Sequence, residues 1–169
     1  MVHVAIIGTG DLAYGLAHLF ATHNSALTGN SLEVTKPNLG KEGLFHDTNV
    51  PLADFDDALV RADILILAIP SHGLEKFIFA NNGRLKNKIL VDVTNGGEDL
   101  YSVLGKTSIR WVKAFNDIGA VDIMLHKSGK QTSPWHFIPK YPQYIYIIIN
   151  IYHVSKQAQN SHKDVLQVY

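Results

Sequence analysis

The sequence predicts an α/β protein whose core is a doubly wound parallel β-sheet. Several apolar runs of strand length are continuous rather than alternating, as expected for strands that are buried on both faces of a sheet. These runs alternate with segments that carry apolar residues at helical spacing, through about residue 126. The first run leads directly into a glycine-rich turn and a helix. These features together favour right-handed crossovers, with a helix between consecutive strands.

The first strand, turn and helix have the form of a dinucleotide-binding turn. The apolar run 2–7 is followed by Gly8, Thr9, Gly10, Asp11, Leu12 and Ala13. Such a turn needs glycine where the chain bends, glycine where the backbone meets pyrophosphate, and a small residue where the helix packs on the strand. Gly8, Gly10 and Ala13 occupy these positions in order. Apolar residues at helical spacing then predict a helix whose first amide groups can bind an anion.

The second strand and the first short helix follow along the chain. Residues 31–35 are predicted as a strand, because they follow turn residues and combine apolar with β-branched side chains. Lys36-Pro37 ends this strand. Asp54 is predicted to cap a short helix that places apolar residues on one face.

The central and later strands are predicted from three further apolar runs. Residues 64–69 form a continuous run of strand length, and Pro70-Ser71 opens the helix that follows it. Residues 89–93 and 110–115 are predicted as two more strands, separated by a short segment around 99–104. These elements complete the predicted doubly wound sheet.

Charge and cysteine content exclude several classes of function. Fifteen Lys and Arg residues balance fifteen Asp and Glu residues, so no overall field favours nucleic acid or an anionic membrane as a partner. The absence of cysteine excludes thiolate nucleophiles and cysteine-ligated metals, and it is typical of a cytoplasmic protein. We expect no signal peptide, because the first apolar run belongs to a predicted strand and is followed by glycines rather than a cleavage site. We also expect no membrane span, since the apolar stretch 144–152 is interrupted by Asn150 and is too short.

The end of the second strand predicts which dinucleotide the site prefers. Enzymes that use NAD place a carboxylate there for the ribose 2′-hydroxyl, whereas a 2′-phosphate needs a cation with a hydroxyl or amide. Thr35 and Lys36 therefore favour NADP. Glu33 is the competing candidate for a ribose-binding acid, because strand alternation puts it on the same face as Thr35. The alternative is that neither residue binds a nucleotide, with Lys36 a solvated turn lysine and Glu33 a charge at the edge of the sheet.

Four stretches of the chain match a known family. They are Ile7-Gly8-Thr9-Gly10-Asp11, Thr35-Lys36-Pro37, the strand 88–95 that ends in Thr94-Asn95, and Val112-Lys113-Ala114-Phe115-Asn116. The chain thereby resembles the NADP-binding domain that deazaflavin-dependent NADP oxidoreductases share with the cytoplasmic domain of STEAP metalloreductases, over about residues 2–122. Thr35-Lys36 departs from the family's Ser-Arg motif. Lysine lacks the planar two-pronged contact of arginine, so NADP preference is expected to be looser than the family norm.

The resemblance implies a cofactor crevice at the carboxyl ends of the strands. The adenosine ribose and pyrophosphate would be bordered by Ala68, Ile69 and Pro70. The nicotinamide would be approached by the ends of the next two strands, at Thr94, Asn95, Ala114, Phe115 and Asn116. Ordinary strand-end capping is the alternative for either asparagine. Hydride transfer to a flavin-like ring asks mainly for stacking and orientation, so no catalytic acid or base is assigned.

The histidines do not predict a metal site. None of the nine lies beside another, and there is no HExxH pattern. His72, just after Pro70, is the one near the predicted crevice. We expect it to be structural or solvated, with a proton shuttle as the alternative.

The chain changes character after Gly129, and the last forty residues contain no glycine. We predict an NADP-binding domain over residues 1–126 and a divergent tail over residues 127–169. The tail would be a divergent, truncated or frame-altered ending, with one added strand at 144–149 and a weak helix. Its Tyr- and Ile-rich strand favours a homodimer or aggregation.

Three functions agree with the sequence. The first is an NADPH-dependent oxidoreductase that transfers hydride to a small-molecule acceptor, a flavin or deazaflavin. The second is a non-catalytic NADP-binding or sensor module that acts with a partner. The third is a reductase of small imines, for which the chain is too short to supply the usual helical dimerisation domain.

Overall fold

The computed structural model describes residues 2–22, 31–37, 45–94 and 109–114. The strands there are β1 (His3–Ile7), β2 (Ser31–Thr35), β3 (Leu52–Ala53), β4 (Ile64–Leu67), β5 (Ile89–Asp92) and β6 (Arg110–Lys113). The helices are α1 (Asp11–Thr22), α2 (Phe55–Arg61) and α3 (Ser71–Asn81), and a 3-10 turn, Asn82–Arg84, follows α3.

In the described part of the chain the strands form one parallel sheet in the order β3-β2-β1-β4-β5-β6. The strand order runs outward in both directions from β1, whose neighbours are β2 and β4. The predicted doubly wound parallel sheet is therefore confirmed. Its strand order is that of a Rossmann fold, which binds dinucleotides at the carboxyl ends of the strands, where the order reverses.

Each face of the sheet is buried against helices. Val4 and Ile6 of β1 belong to the apolar cluster that contains the buried side chains of α1. Ala5 and Ile7 belong to the opposite cluster, with the buried side chains of α2 and α3. Because every residue of β4 is buried, each large side chain there contributes about 1.5–3 kcal/mol to folding.

The predicted elements agree with the observed ones, with small differences at their ends. β2 has the predicted bounds, whereas β4 ends at Leu67, β5 at Asp92 and β6 at Lys113. The residues directly after these strands, Ala68, Val93 and Ala114, still pack on the core. The two-residue β3 was not predicted, since it is too short to show a pattern. The segment 99–104 and the tail lie outside the described residues.

Charged side chains join the elements at the amino edge of the sheet. The buried Glu33 lies 3.1 Å from Nε2 of His3 and 2.9 Å from the guanidinium of Arg61. The His3 backbone amide donates to the Asp63 carboxylate at 3.0 Å. These contacts connect β2 to the beginning of β1 and the end of α2. No helix in the described ranges is long and apolar enough to cross a membrane.

Candidate functional site

The candidate site lies at the carboxyl edge of the sheet, beside the ends of the paired strands β1 and β4. The turn 8–10 follows β1, Lys36 follows β2, and Ala68 follows β4. α1 begins directly after the turn, at Asp11. A helix of this length offers unpaired amide groups and a positive dipole end to an anion.

Gly8 fits a position that only glycine can occupy. Its φ is +147°, a conformation that other residues rarely adopt. A Cβ at Gly8 would lie 2.8 Å from the carbonyl carbon of Ala68 and closer still to its oxygen. The Ala68 amide donates to the carbonyl of Ile7 at 2.8 Å. The glycine therefore lets β1 pass close to the end of β4 before the chain turns.

Gly10 has the opposite environment. A Cβ built on Gly10 would meet no atom within 4 Å, and the residue is exposed. Its carbonyl accepts the Tyr14 amide at 3.0 Å, the first backbone bond of α1. Since neither backbone conformation nor a protein neighbour requires glycine here, the open space beside the turn fits the predicted approach of a pyrophosphate.

The rest of the turn connects this opening to the core. Thr9 and Leu12 are half-buried, and Asp11 is exposed. Ala13 is fully buried in the α1-side cluster, as expected for the small residue that packs the helix on the strand.

Thr35 supports the turn. Its buried hydroxyl accepts the Gly8 amide at 3.0 Å and donates to the Gly8 carbonyl at 3.3 Å. The single hydroxyl proton is therefore bonded within the protein, and an anion would have to break that bond to receive it. Of the two residues predicted to contact a 2′-phosphate, Lys36 is therefore the one whose side chain is not bonded to the turn.

Lys36 is exposed and paired with a carboxylate at the same edge. Its ammonium lies 3.2 Å from the Asp54 carboxylate, and its backbone amide donates to the Ala53 carbonyl at 2.8 Å. Asp54 precedes α2 as predicted, but its side chain makes no capping hydrogen bond. The expectation that Asp54 caps this helix is therefore wrong for its side chain, since the carboxylate bonds Lys36 instead.

Glu33, the competing ribose-binding candidate, is engaged elsewhere. Its side chain is 7% exposed and lies between His3 and Arg61, near the amino edge of the sheet. Binding a ribose at the carboxyl edge would require Glu33 to abandon both contacts. The geometry therefore favours Lys36 over Glu33 as the determinant of nucleotide choice.

The ends of β5 and β6 carry a buried polar cluster that sequence reasoning missed. Asp92 accepts the amide of Thr94 at 2.8 Å and its hydroxyl at 2.7 Å. The second oxygen of Asp92 lies 3.5 Å from the ammonium of Lys113. The signal in the sequence is an acid that directly follows three apolar residues of a buried strand. Asp92 thus holds the chain in position as it leaves β5.

The other predicted site residues at this edge have mixed exposure. Ala68 and Ile69 are half-buried, Pro70 is exposed beside α3, and Ala114 is buried. Asn95, Phe115 and Asn116 lie outside the described residues. His72 is exposed in the first turn of α3. In the described ranges no group of three or more His, Cys, Asp or Glu residues could hold a metal ion.

A comparison with protein families decides the assignment. The family model described as NADP oxidoreductase, coenzyme F420-dependent, matches residues 3–96. The chain belongs to this family. The match confirms the resemblance to deazaflavin-dependent NADP oxidoreductases. It assigns the chain to a family of NAD(P)-dependent oxidoreductases. A search of curated proteins gives no match.

Solved structures share the fold. A protein from Arthrobacter sp. FB24, assigned as an F420-dependent NADP reductase, is 16% identical with a TM-score of 0.55, over 98% of this chain and 83% of its own. Pyrroline carboxylate reductase from Plasmodium falciparum, with NADP bound, is 13% identical with a TM-score of 0.50, over 96% and 71%. An imine reductase variant from Myxococcus stipitatus, in complex with NAD+, is 18% identical with a TM-score of 0.51. That match covers 66% of this chain and 39% of the imine reductase.

The described residues fit a dinucleotide. The open space at Gly10 and the beginning of α1 suit a pyrophosphate. Lys36 at the end of β2 suits a 2′-phosphate, and Glu33 is too engaged to serve as a ribose acid. The apolar Ala68 and Ile69 suit the wall of a crevice that excludes water.

Proposed function

We propose that this chain binds NADPH and passes its hydride to a flavin or deazaflavin. The observation that carries the proposal is the turn after β1, where Gly8 packs against Ala68 and Gly10 borders open space. This turn lies where the strand order reverses, which is the position of dinucleotide sites in such sheets. Membership of an NADP-dependent oxidoreductase family supports the redox chemistry.

The site residues are proposed to bind and orient the nucleotide. The turn 8–13 would bind the pyrophosphate through backbone amides, Lys36 would bind the 2′-phosphate, and Ala68-Ile69-Pro70 would border the adenosine ribose. Thr35 would act through the turn, because its hydroxyl bonds the Gly8 backbone. Each charge-assisted hydrogen bond to a phosphate contributes about 1.5–3 kcal/mol.

The nicotinamide end is proposed to lie at Thr94-Asn95 and 114–116. Bound NADPH supplies the hydride, so the chain needs to hold two rings in contact and keep water away. Asp92 fixes Thr94 through two hydrogen bonds, which gives the strand end a defined direction. Residues 1–126 are proposed as the NADP-binding domain, with 127–169 as a separate tail.

A turnover screen tests the proposal. The chain is incubated with NADPH and, in turn, riboflavin, FMN, FAD or a deazaflavin, and loss of the reduced nicotinamide absorbance is followed. Gly10→Val is the matched control, because it is expected to retain the fold and to block the proposed pyrophosphate position. Oxidation with at least one acceptor, lost in the control, supports the proposal. Tight NADPH binding without turnover would instead favour the NADP-binding or sensor module.

A further inference from the structure

We propose that Asp54 is a specificity-determining residue that weakens the preference of this site for NADPH over NADH. Its carboxylate would compete with the 2′-phosphate for Lys36. This inference rests on the proposed nucleotide site and deepens it, because it names the residue that opposes the 2′-phosphate contact.

The two side chains meet at the edge where the adenosine ribose is expected. Lys36 follows β2 and Asp54 follows β3, two neighbouring parallel strands. The ammonium and carboxylate are 3.2 Å apart, with the side chains 52% and 67% exposed. The pair therefore faces solvent at the carboxyl edge, where an entering nucleotide can reach both groups.

The Asp54 carboxylate contacts Lys36 and makes no capping hydrogen bond to α2. It precedes α2 with φ −63° and ψ 145°, the extended backbone of an N-cap residue, yet its side chain bonds no helix amide. Aspartate at this position normally accepts a hydrogen bond from the first turn of the helix. A residue that breaks a local rule in favour of a contact at a candidate site points to a role in that site.

Two arginines in this region, Arg61 in α2 and Arg84 after α3, are paired with carboxylates other than Asp54. Arg61 pairs with Glu33 at 2.9 Å and lies 3.9 Å from Asp57, and Arg84 pairs with Asp56 at 2.7 Å. Within the described residues, Lys36 is thus the cation at the end of β2 that a 2′-phosphate would meet. The phosphate would have to displace the Asp54 carboxylate, because two anions compete for one ammonium.

The consequence differs between the two nucleotides. NADPH gains the Lys36 contact only after the Lys36–Asp54 pair is broken, and the released carboxylate then lies close to another anion. NADH has no 2′-phosphate, so the pair can persist and the carboxylate can accept a ribose hydroxyl. Exposed ion pairs are weak, so the effect is a moderate loss of discrimination of about two- to fivefold.

The test compares Asp54→Asn with the matched control Asp57→Asn, which removes a carboxylate three residues further on, inside α2. Dissociation constants for NADPH and NADH are measured by fluorescence titration at low and at physiological salt, in wild-type and Lys36→Gln backgrounds. Asp54→Asn is expected to tighten NADPH binding about two- to fivefold at low salt, with no tightening of NADH binding. The gain should shrink with added salt and be smaller in the Lys36→Gln background, where only the repulsion between the carboxylate and the 2′-phosphate remains.

Asparagine is as good an N-cap as aspartate, so Asp54→Asn is expected to fold, and Asp54→Ser repeats the test with another capping residue. An unchanged ratio of the NADPH and NADH constants in both variants overturns the inference. An equal change of that ratio in Asp57→Asn also overturns the inference, and so does a gain in NADPH affinity that is as large in the Lys36→Gln background as in the wild type. If the wild type binds neither nucleotide, both the proposed function and the Asp54 inference fail. If the wild type binds NADPH but the ratio of the NADPH and NADH constants is the same in the Asp54 variants, only the Asp54 inference fails.

Discussion

Gly8 and Gly10 lie two residues apart in the same turn, and substitution should affect them in opposite ways. In Gly8→Ala, the new Cβ would lie 2.8 Å from the carbonyl carbon of Ala68, so the ends of β1 and β4 must move apart. The φ of +147° adds backbone strain. Overpacking and strain together cost about 2–6 kcal/mol of unfolding free energy. For a chain of this size that lowers the melting temperature by roughly 5–20 °C.

Gly10→Val meets no neighbour within 4 Å of the Cβ position. Its cost is the poorer capping of α1 by valine, less than about 1 kcal/mol. The added side chain would, however, fill the space through which the backbone reaches a pyrophosphate. We therefore expect a folded protein that has lost NADPH binding.

Thermal unfolding by circular dichroism and a nucleotide titration on the same samples separate the two effects. We predict a low melting temperature for Gly8→Ala, and for Gly10→Val a near-normal melting temperature without NADPH affinity. Equal stability of the two variants would refute the packing argument at Gly8. Wild-type NADPH affinity in Gly10→Val would mean that the turn is structural only.

Three further variants test other contacts and surfaces of the protein. Lys36→Glu should lower NADPH affinity at least about tenfold and erode or reverse the preference over NADH; an unchanged ratio in titrations would remove Lys36 from the site. Asp92→Ala should cost about 2–4 kcal/mol in denaturant unfolding, because Thr94 loses both bonds to the carboxylate; a neutral effect would contradict that anchoring role. Replacing Ile147 and Ile149 with lysine should shift the protein toward monomer in light scattering without changing NADPH affinity, and a wild type that is already monomeric would contradict the predicted edge pairing.

The fold could be predicted from the sequence because its strands are buried on both faces. A strand such as β4 has to be continuously apolar, and that pattern is visible without coordinates. β3 could not be predicted, because two residues show no periodicity and their pairing with β2 is a contact between distant parts of the chain.

The parts of the site that depend on backbone shape could be predicted from the sequence. The hydrogen bonds and ion pairs between distant side chains could not. Gly8 and Gly10 were identified from spacing alone, although the different reasons for the two glycines needed the structure. Thr35 was correctly located at the end of β2, yet its hydroxyl bonds Gly8. The pairing of a carboxylate with a cation depends on how distant segments of the chain pack together. The Asp54 contact with Lys36 therefore could not be obtained from local rules.

A parallel titration of the wild-type chain with NADPH and NADH shows directly whether this fold binds a dinucleotide. We predict saturable binding of NADPH and a moderate preference for NADPH over NADH. In Gly10→Val we predict that neither nucleotide binds. Absence of saturable binding of either nucleotide to the wild type, in a sample whose circular dichroism shows a folded α/β protein, would contradict the proposed nucleotide site.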